Sequence, residues 1–191
     1  MNKRQLFLAS ASERRKQILT QHCIPYSVIP NRLNNEALNP TLPIRLAIRI
    51  LALEKAIASQ QNYQGLILGV DTIVYCDNKI LCKPKSINQA KQSLEFLSAK
   101  SHHVISGIAL LDTLTHRTIT RSVVTTVTFK HISNEEIDYY TSHYQVLDKA
   151  GAYAIQEYAG RFVSKRNGSY ENIVGLPIQA LKKLLKTYIL V

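Results

Sequence analysis

The segment Leu66-Ile67-Leu68-Gly69-Val70-Asp71-Thr72-Ile73-Val74-Tyr75 is a continuous apolar run broken by one acid. Such a run reads as a buried central strand, and it places Asp71 inside the protein. Burying an unpaired carboxylate costs an energy comparable with the stability margin of a small domain. Asp71 is therefore expected to border a cleft, a cation or a metal. Asp77-Asn78 supplies a tight turn, and Ile80-Leu81 begins a return strand that delivers Lys83-Pro84.

A second charge lies where charge is unexpected. Thr41-Leu42-Pro43 opens a helix with proline near its first turn, where its missing amide is not needed. At about 100° per residue, Lys55 falls about 20° from Ile44, on the stripe of Ala47, Ile48 and Leu51. A lysine there either snorkels outward near the helix end or meets a negative partner.

The remaining elements mix strands with helices. Leu6 to Ala9 reads as a short buried strand running directly into a helix capped by Ser12, with Ile18 and Leu19 inward. A helix covers about Ser86 to Leu97. From His103 to Lys130, a chain rich in β-branched residues turns near Asp112 to Arg117, predicting a long hairpin with Val123, Thr125 and Val127 on one face. Ser133 and Glu136 form a capping box for a helix carrying Ile137 and Tyr140. Gly151 to Pro177 reads as short strands and turns, before a last amphipathic helix with Leu181, Leu184 and Leu185. This order predicts an α/β fold with a mixed twisted sheet and flanking helices.

A chain of 191 residues, 46% hydrophobic and 19% charged, suits one globular domain over 1–191, and no linker or repeat marks a boundary within it. The net charge of +11 favours anionic partners, but the basic residues are spread along the chain and no nucleic-acid-binding motif accompanies them. Three cysteines without a CxxC pair argue against a disulfide framework or structural zinc and for a reducing compartment. The start, Met1-Asn2-Lys3-Arg4 followed by Leu6 to Ala11, has too short an apolar run for a signal peptide and meets Glu13-Arg14-Arg15-Lys16 at once. No stretch approaches the roughly 20 apolar residues of a membrane span. His102 and His103 lack a partner at metal-ligand spacing and read as hydrogen-bonded structural residues. The P-loop pattern is absent, and the dispersed tyrosines give no stacking platform.

Four separated segments resemble one family, the Maf proteins. Leu8-Ala9-Ser10-Ala11-Ser12-Glu13-Arg14-Arg15 is similar to the opening motif, in which a strand ends in Leu-Ala-Ser and Ser-Pro-Arg-Arg begins the helix. Asn35-Glu36 with Leu51-Ala52-Leu53-Glu54-Lys55-Ala56 resembles the second. Val70-Asp71-Thr72, Cys82-Lys83-Pro84 and Leu97-Ser98-Ala99-Lys100-Ser101-His102 resemble the third series. Asp148-Lys149-Ala150-Gly151-Ala152-Tyr153-Ala154-Ile155-Gln156, with Gly168-Ser169-Tyr170 and Val174-Gly175-Leu176-Pro177, resembles the closing signature. Glu13 stands where the family has proline, Asn35 where it has aspartate, and Cys82 and Ala99 where it has glycine. Glu13 suits the helix dipole but repels a triphosphate if it points inward.

The resemblance implies a cytoplasmic nucleoside triphosphate pyrophosphatase, related in fold to the inosine triphosphate pyrophosphatases, with two lobes around a central cleft. It further implies a homodimer that removes particular nucleotides, modified ones included, from the pool. Arg14, Thr72 and Gln156 match the branch acting on dTTP and UTP. Hydrolysis between the α and β phosphates needs a positioned water, a base for it, and cations against the charge of the leaving pyrophosphate. On the matched positions, Asp71 is the general base and, with Glu36, holds a divalent cation, Mg²⁺ or Mn²⁺. Arg14, Arg15, Lys55 and Lys83 bind the triphosphate, and Ser10, Ser12 and amides at the helix N-terminus add donors. Thr72 and Gln156 recognise the base. Taken without the family, Arg14 and Arg15 read as a solvated helix face, Lys83 as a loop lysine and Gln156 as a packed polar residue in a strand. The competing functions are an interaction protein that arrests septum formation and a basic nucleic-acid-binding domain.

Overall fold

The computed structural model describes residues 4–189; Met1, Asn2 and Lys3 of the basic start, and residues 190–191, lie outside the described residues. In chain order the elements are β1 (Leu6–Ala9), α1 (Glu13–Gln21), β2 (Ser27–Ile29), α2 (Ile44–Ala58), β3 (Leu66–Cys76) and β4 (Lys79–Leu81). There follow α3 (Ile87–Leu97), β5 (Ser101–Asp112), β6 (Thr118–Phe129), α4 (Asn134–His143), β7 (Val163–Asn167), α5 (Tyr170–Val174) and α6 (Ile178–Ile189). The strands form a seven-stranded mixed sheet in the order β2-β1-β3-β5-β6-β7, with β4 on β3. β1 pairs in parallel with both β2 and β3, whereas the β3–β4 and β6–β7 pairs are antiparallel. The mixed α/β class expected from the element order is the one observed. No helix among the described residues is long and apolar enough to cross a membrane, and Cys23, Cys76 and Cys82 are all free thiols.

The chain divides into two compact units. Unit 1 comprises residues 1–72, 106–123 and 175–191, and unit 2 comprises residues 73–105 and 124–174. The long strands β3, β5 and β6 each give one half to either unit. In unit 1 the core is built on β1 and the first half of β3, whose Leu8, Ile67 and Leu68 are fully buried, with Ile48 and Ala52 of α2 and Leu19 of α1. In unit 2, α3 carries Ala90, Leu94 and Leu97 into a cluster with Phe129, Tyr140 and Phe162. Phe129, Tyr140 and Phe162 meet edge to face, a favourable arrangement for aromatic quadrupoles.

Local expectations are met in places and corrected in others. The Ser133–Glu136 capping box closes in both directions, and the long hairpin forms with its turn at 113–117. Ser12 does occupy the N-cap of α1, but its side chain makes no capping hydrogen bond. The stretch from Gly151 to Pro177 contains one strand; the rest is two 3-10 turns, Ala150–Ala152 and Tyr158–Phe162, and the short helix α5. Gly151, Gly168 and Gly175 all adopt positive φ there, which favours turns over pleated backbone.

Candidate active site

Unit 1 brings together most of the candidate residues through the packing of α2 against β3. A Cβ on Gly69 would stand 2.0 Å from the Ala52 carbonyl oxygen and 2.9 Å from the Ala56 amide nitrogen, so only glycine permits this approach. Gly69 and Asp71 share one face of the strand by its period of two, and Ala52, Lys55 and Ala56 follow one another on one face of the helix. The close approach therefore sets Lys55 opposite Asp71.

Lys55 does not snorkel. Its side chain is only 5% exposed, and its Nζ donates to Asp71 Oδ1 at 2.5 Å and to Glu36 Oε2 at 2.8 Å. The buried lysine and the acid in the apolar strand, each improbable alone, account for one another. Glu36, on the loop before α2, also accepts from Asn31 Nδ2 at 2.6 Å, while Asn31 Oδ1 is held by the Leu33 amide. Both oxygens of Glu36 thus have named donors.

Beside this group, β1 hands over to α1. Ser10 is buried, and its Oγ accepts from Arg15 at 2.9 Å and from the Ser12 amide at 3.3 Å. Arg15 Nε donates to the Gly175 carbonyl at 3.0 Å. Thr72, the residue after Asp71, shares a hydrogen bond with Ser106 at 2.9 Å and donates to the same Gly175 carbonyl at 3.4 Å. Burial pulls the Arg15 guanidinium below its ordinary value; Asp71 opposes this, Arg14 adds to it and Glu36 opposes it. Arg15 remains a cation, and these influences place it in the field of both carboxylates. Arg14 is half-buried on the same turn of α1.

Glu13 turns away from concern: it is exposed and paired with Lys16 at 2.7 Å. Two candidates belong to unit 2. Lys83 is exposed on the loop between β4 and α3, with no ion pair among the described residues. Gln156 is exposed in a turn rather than packed in a strand. His102 is fully buried, with Nε2 and the Tyr153 hydroxyl 2.8 Å apart, which fulfils its structural reading. Asn31 and Ser106 carry no functional mark in the sequence, and Gly69 carries only the local signal of a glycine within an apolar strand, which points to close backbone approach.

Chemically, unit 1 offers a carboxylate on a rigid strand, a second carboxylate, a buried ammonium between them, and arginines at the start of a helix. Among the described residues no cluster of three His, Cys, Asp or Glu side chains could hold a metal. Asp71 and Glu36 nevertheless suit magnesium, which takes one or two carboxylates and fills its shell with water and phosphate oxygens.

The sequence profile of the family described as Maf-like protein matches residues 5–188. A protein of Clostridioides difficile (strain 630) named dTTP/UTP pyrophosphatase is 40% identical over 185 residues, which cover 96% of this chain and 94% of that one. A protein of the same name from Alkaliphilus oremlandii (strain OhILAs) is 41% identical over 187 residues, covering 97% and 96%. Among solved structures, a HAM1 protein from Coxiella burnetii is 15% identical with a TM-score of 0.46, covering 99% of this chain and 100% of that one.

Proposed function

The chain belongs to the Maf-like protein family, and from that premise we propose that it hydrolyses dTTP and UTP to the nucleoside monophosphate and pyrophosphate. The observation that carries this reading is the Lys55 ammonium held between Asp71 at 2.5 Å and Glu36 at 2.8 Å. A base, a second carboxylate and a buried cation at one place are what breaking a phosphoanhydride requires.

Asp71 takes a proton from the attacking water as its oxygen bonds to phosphorus. The bond to the bridging oxygen breaks, and pyrophosphate leaves with the electron pair. An ammonium has three donors; Lys55 uses two on the carboxylates and keeps one for a phosphate oxygen. Arg14 and Arg15 add positive charge, with Ser10 and Ser12 at the start of α1 as further donors. Asp71 and Glu36 are the residues that would hold Mg²⁺ or Mn²⁺, which when bound neutralises charge on the phosphates. Lys83 supplies another cation for the triphosphate, and Thr72 and Gln156 recognise the pyrimidine. The working protein is a cytoplasmic homodimer in which 1–191 acts as one domain; its free thiols suit a reducing compartment.

The test is pyrophosphate release from dTTP, UTP, CTP, GTP and 7-methyl-GTP with Mg²⁺ or Mn²⁺, for the wild type beside Asp71→Asn. Turnover led by dTTP and UTP and lost in the variant is expected. Absence of metal-dependent turnover of every nucleotide would overturn the reading in favour of an interaction protein.

A further inference from the structure

Gln156 stands at the centre of a turn held far more firmly than an exposed glutamine needs. The turn is closed by the Glu157 amide donating to the Ala154 carbonyl at 3.1 Å, which leaves Ile155 and Gln156 between them. Its entry is pinned twice inside the aromatic core of unit 2. The Tyr140 hydroxyl accepts the Ala154 amide at 3.1 Å, and the Tyr153 hydroxyl pairs with His102 Nε2 at 2.8 Å. Its exit is pinned by charge. Lys149, a buried lysine with no part in the proposed hydrolysis, lies 3.7 Å from Glu157 and 2.8 Å from Asp148, and donates to the Gln145 carbonyl.

Upstream, Ala152 is fully buried in the left-handed region at φ 63°, with Gly151 at φ 68° before it. Alanine keeps such a conformation only where its surroundings over-determine it. A buried phenol needs a hydrogen-bond partner; Tyr140 finds its partner at this turn, and Tyr153, which enters the turn, finds its own in His102 of β5. His102 packs edge to face on both Phe129 and Tyr153, so its ring cannot swing to another partner without breaking that packing.

We propose that Tyr140, Tyr153 and His102 are specificity-positioning residues, which fix the Ala154–Glu157 turn and so narrow the poses in which the Gln156 amide can meet the base. The inference rests on the reading of Gln156 as the residue that recognises the pyrimidine. Uracil and cytosine differ at two adjacent positions: uracil accepts at O4 and donates at N3, whereas cytosine donates at N4 and accepts at N3. A primary amide carries both a donor and an acceptor, and one free to turn over would satisfy either base. It discriminates only when its orientation is fixed, since the wrong base then leaves a polar group unpaired.

The test compares kcat/KM for UTP and CTP in the wild type, Gln156→Ala, Tyr140→Phe, Tyr153→Phe and the double variant Gln156→Ala with Tyr140→Phe, each shown by thermal melting to fold. The wild type favours UTP. Gln156→Ala lowers the UTP-to-CTP ratio, each tyrosine variant lowers it roughly fivefold, about the worth of one hydrogen bond, and the double variant falls no further than Gln156→Ala alone. An unchanged ratio in Gln156→Ala overturns the base-recognition reading and the positioning proposal with it. A lowered ratio in Gln156→Ala, with UTP and CTP slowed equally by the tyrosine variants, leaves that reading intact and overturns the positioning. Tyr153→Phe keeps the question decidable should Tyr140→Phe fail to fold.

Discussion

The charged group of unit 1 and the Gln156 turn of unit 2 are built in opposite ways. In the first, Glu36, Lys55 and Asp71 come from a loop, a helix and a strand, and are joined by ion pairs whose exposure rises from 5% at Lys55 to 43% at Glu36. In the second, neutral hydrogen bonds within packed aromatic rings hold the entry, and charge at the buried Lys149 holds only the exit. A group that exchanges protons and counter-ions during a reaction has to change partners, and an ion-pair group that opens toward water at Glu36 leaves room for that. A group that reads a base has to stay still, and a packed aromatic core allows little else. On the proposed function, the two constructions divide chemistry from recognition.

The sharpest way to break that division is Asp71→Asn, which keeps shape and removes the base. Pyrophosphate release is expected to fall by about 10³-fold, and the melting temperature to fall as well, because the buried Lys55 keeps Glu36 but loses the Asp71 charge. A loss of only a fewfold would remove Asp71 from the chemistry. Lys55→Met probes the same group through stability. It leaves two carboxylates without their shared cation and is expected to cost roughly 3 kcal/mol in denaturant unfolding; a cost below about 0.5 kcal/mol would show the ion pairs to be incidental.

The neutral side of the comparison is tested by acid. Burial, and then the neighbouring His103, push His102 down to about 4 from its ordinary 6.5. Between those values the unfolded chain binds a proton that the folded chain refuses, so the stabilisation is complete above about pH 6.5 and is lost as pH falls toward 4. Unfolding free energy should drop by roughly 2.5 kcal/mol more for the wild type than for His102→Asn between pH 7.5 and 4.5. Parallel curves for the two proteins would mean that His102 is charged in the fold. The smallest effect is expected at Glu13→Ala. That carboxylate is 74% exposed and paired with Lys16, so kcat/KM for dTTP should change by less than about twofold; a larger gain would show Glu13 repelling the substrate.

What could be read from sequence follows the energetics. Asp71 in an apolar strand and Lys55 on an apolar helix stripe are both visible because buried charge violates a periodic pattern, and each predicts a partner. That they are partners of each other, with Glu36 as the third member, depends on packing between separate elements. Asn31 and Ser106 carry no local mark, since polar residues in loops and strands are common and their contacts span long stretches of chain. The hairpin and the capping box are encoded within a few residues and come through intact. The Gly151 to Pro177 stretch does not, because glycines at positive φ announce turns without specifying whether 3-10 helix or strand lies between them. The turn that carries Gln156 likewise depends on Tyr140 and Lys149, neither of which has a local mark for this in the sequence.

The approach of α2 to β3 at Gly69 has an evolutionary consequence. The spacing of Asp71 and Lys55 is inscribed in an atom that is missing, and any mutation that restores it drives a side chain into the Ala52 carbonyl. Drift at position 69 could therefore silence the protein while every reactive group remained spelled out in its gene. A lineage carrying such a change would look intact to anyone who inspected only the charged residues.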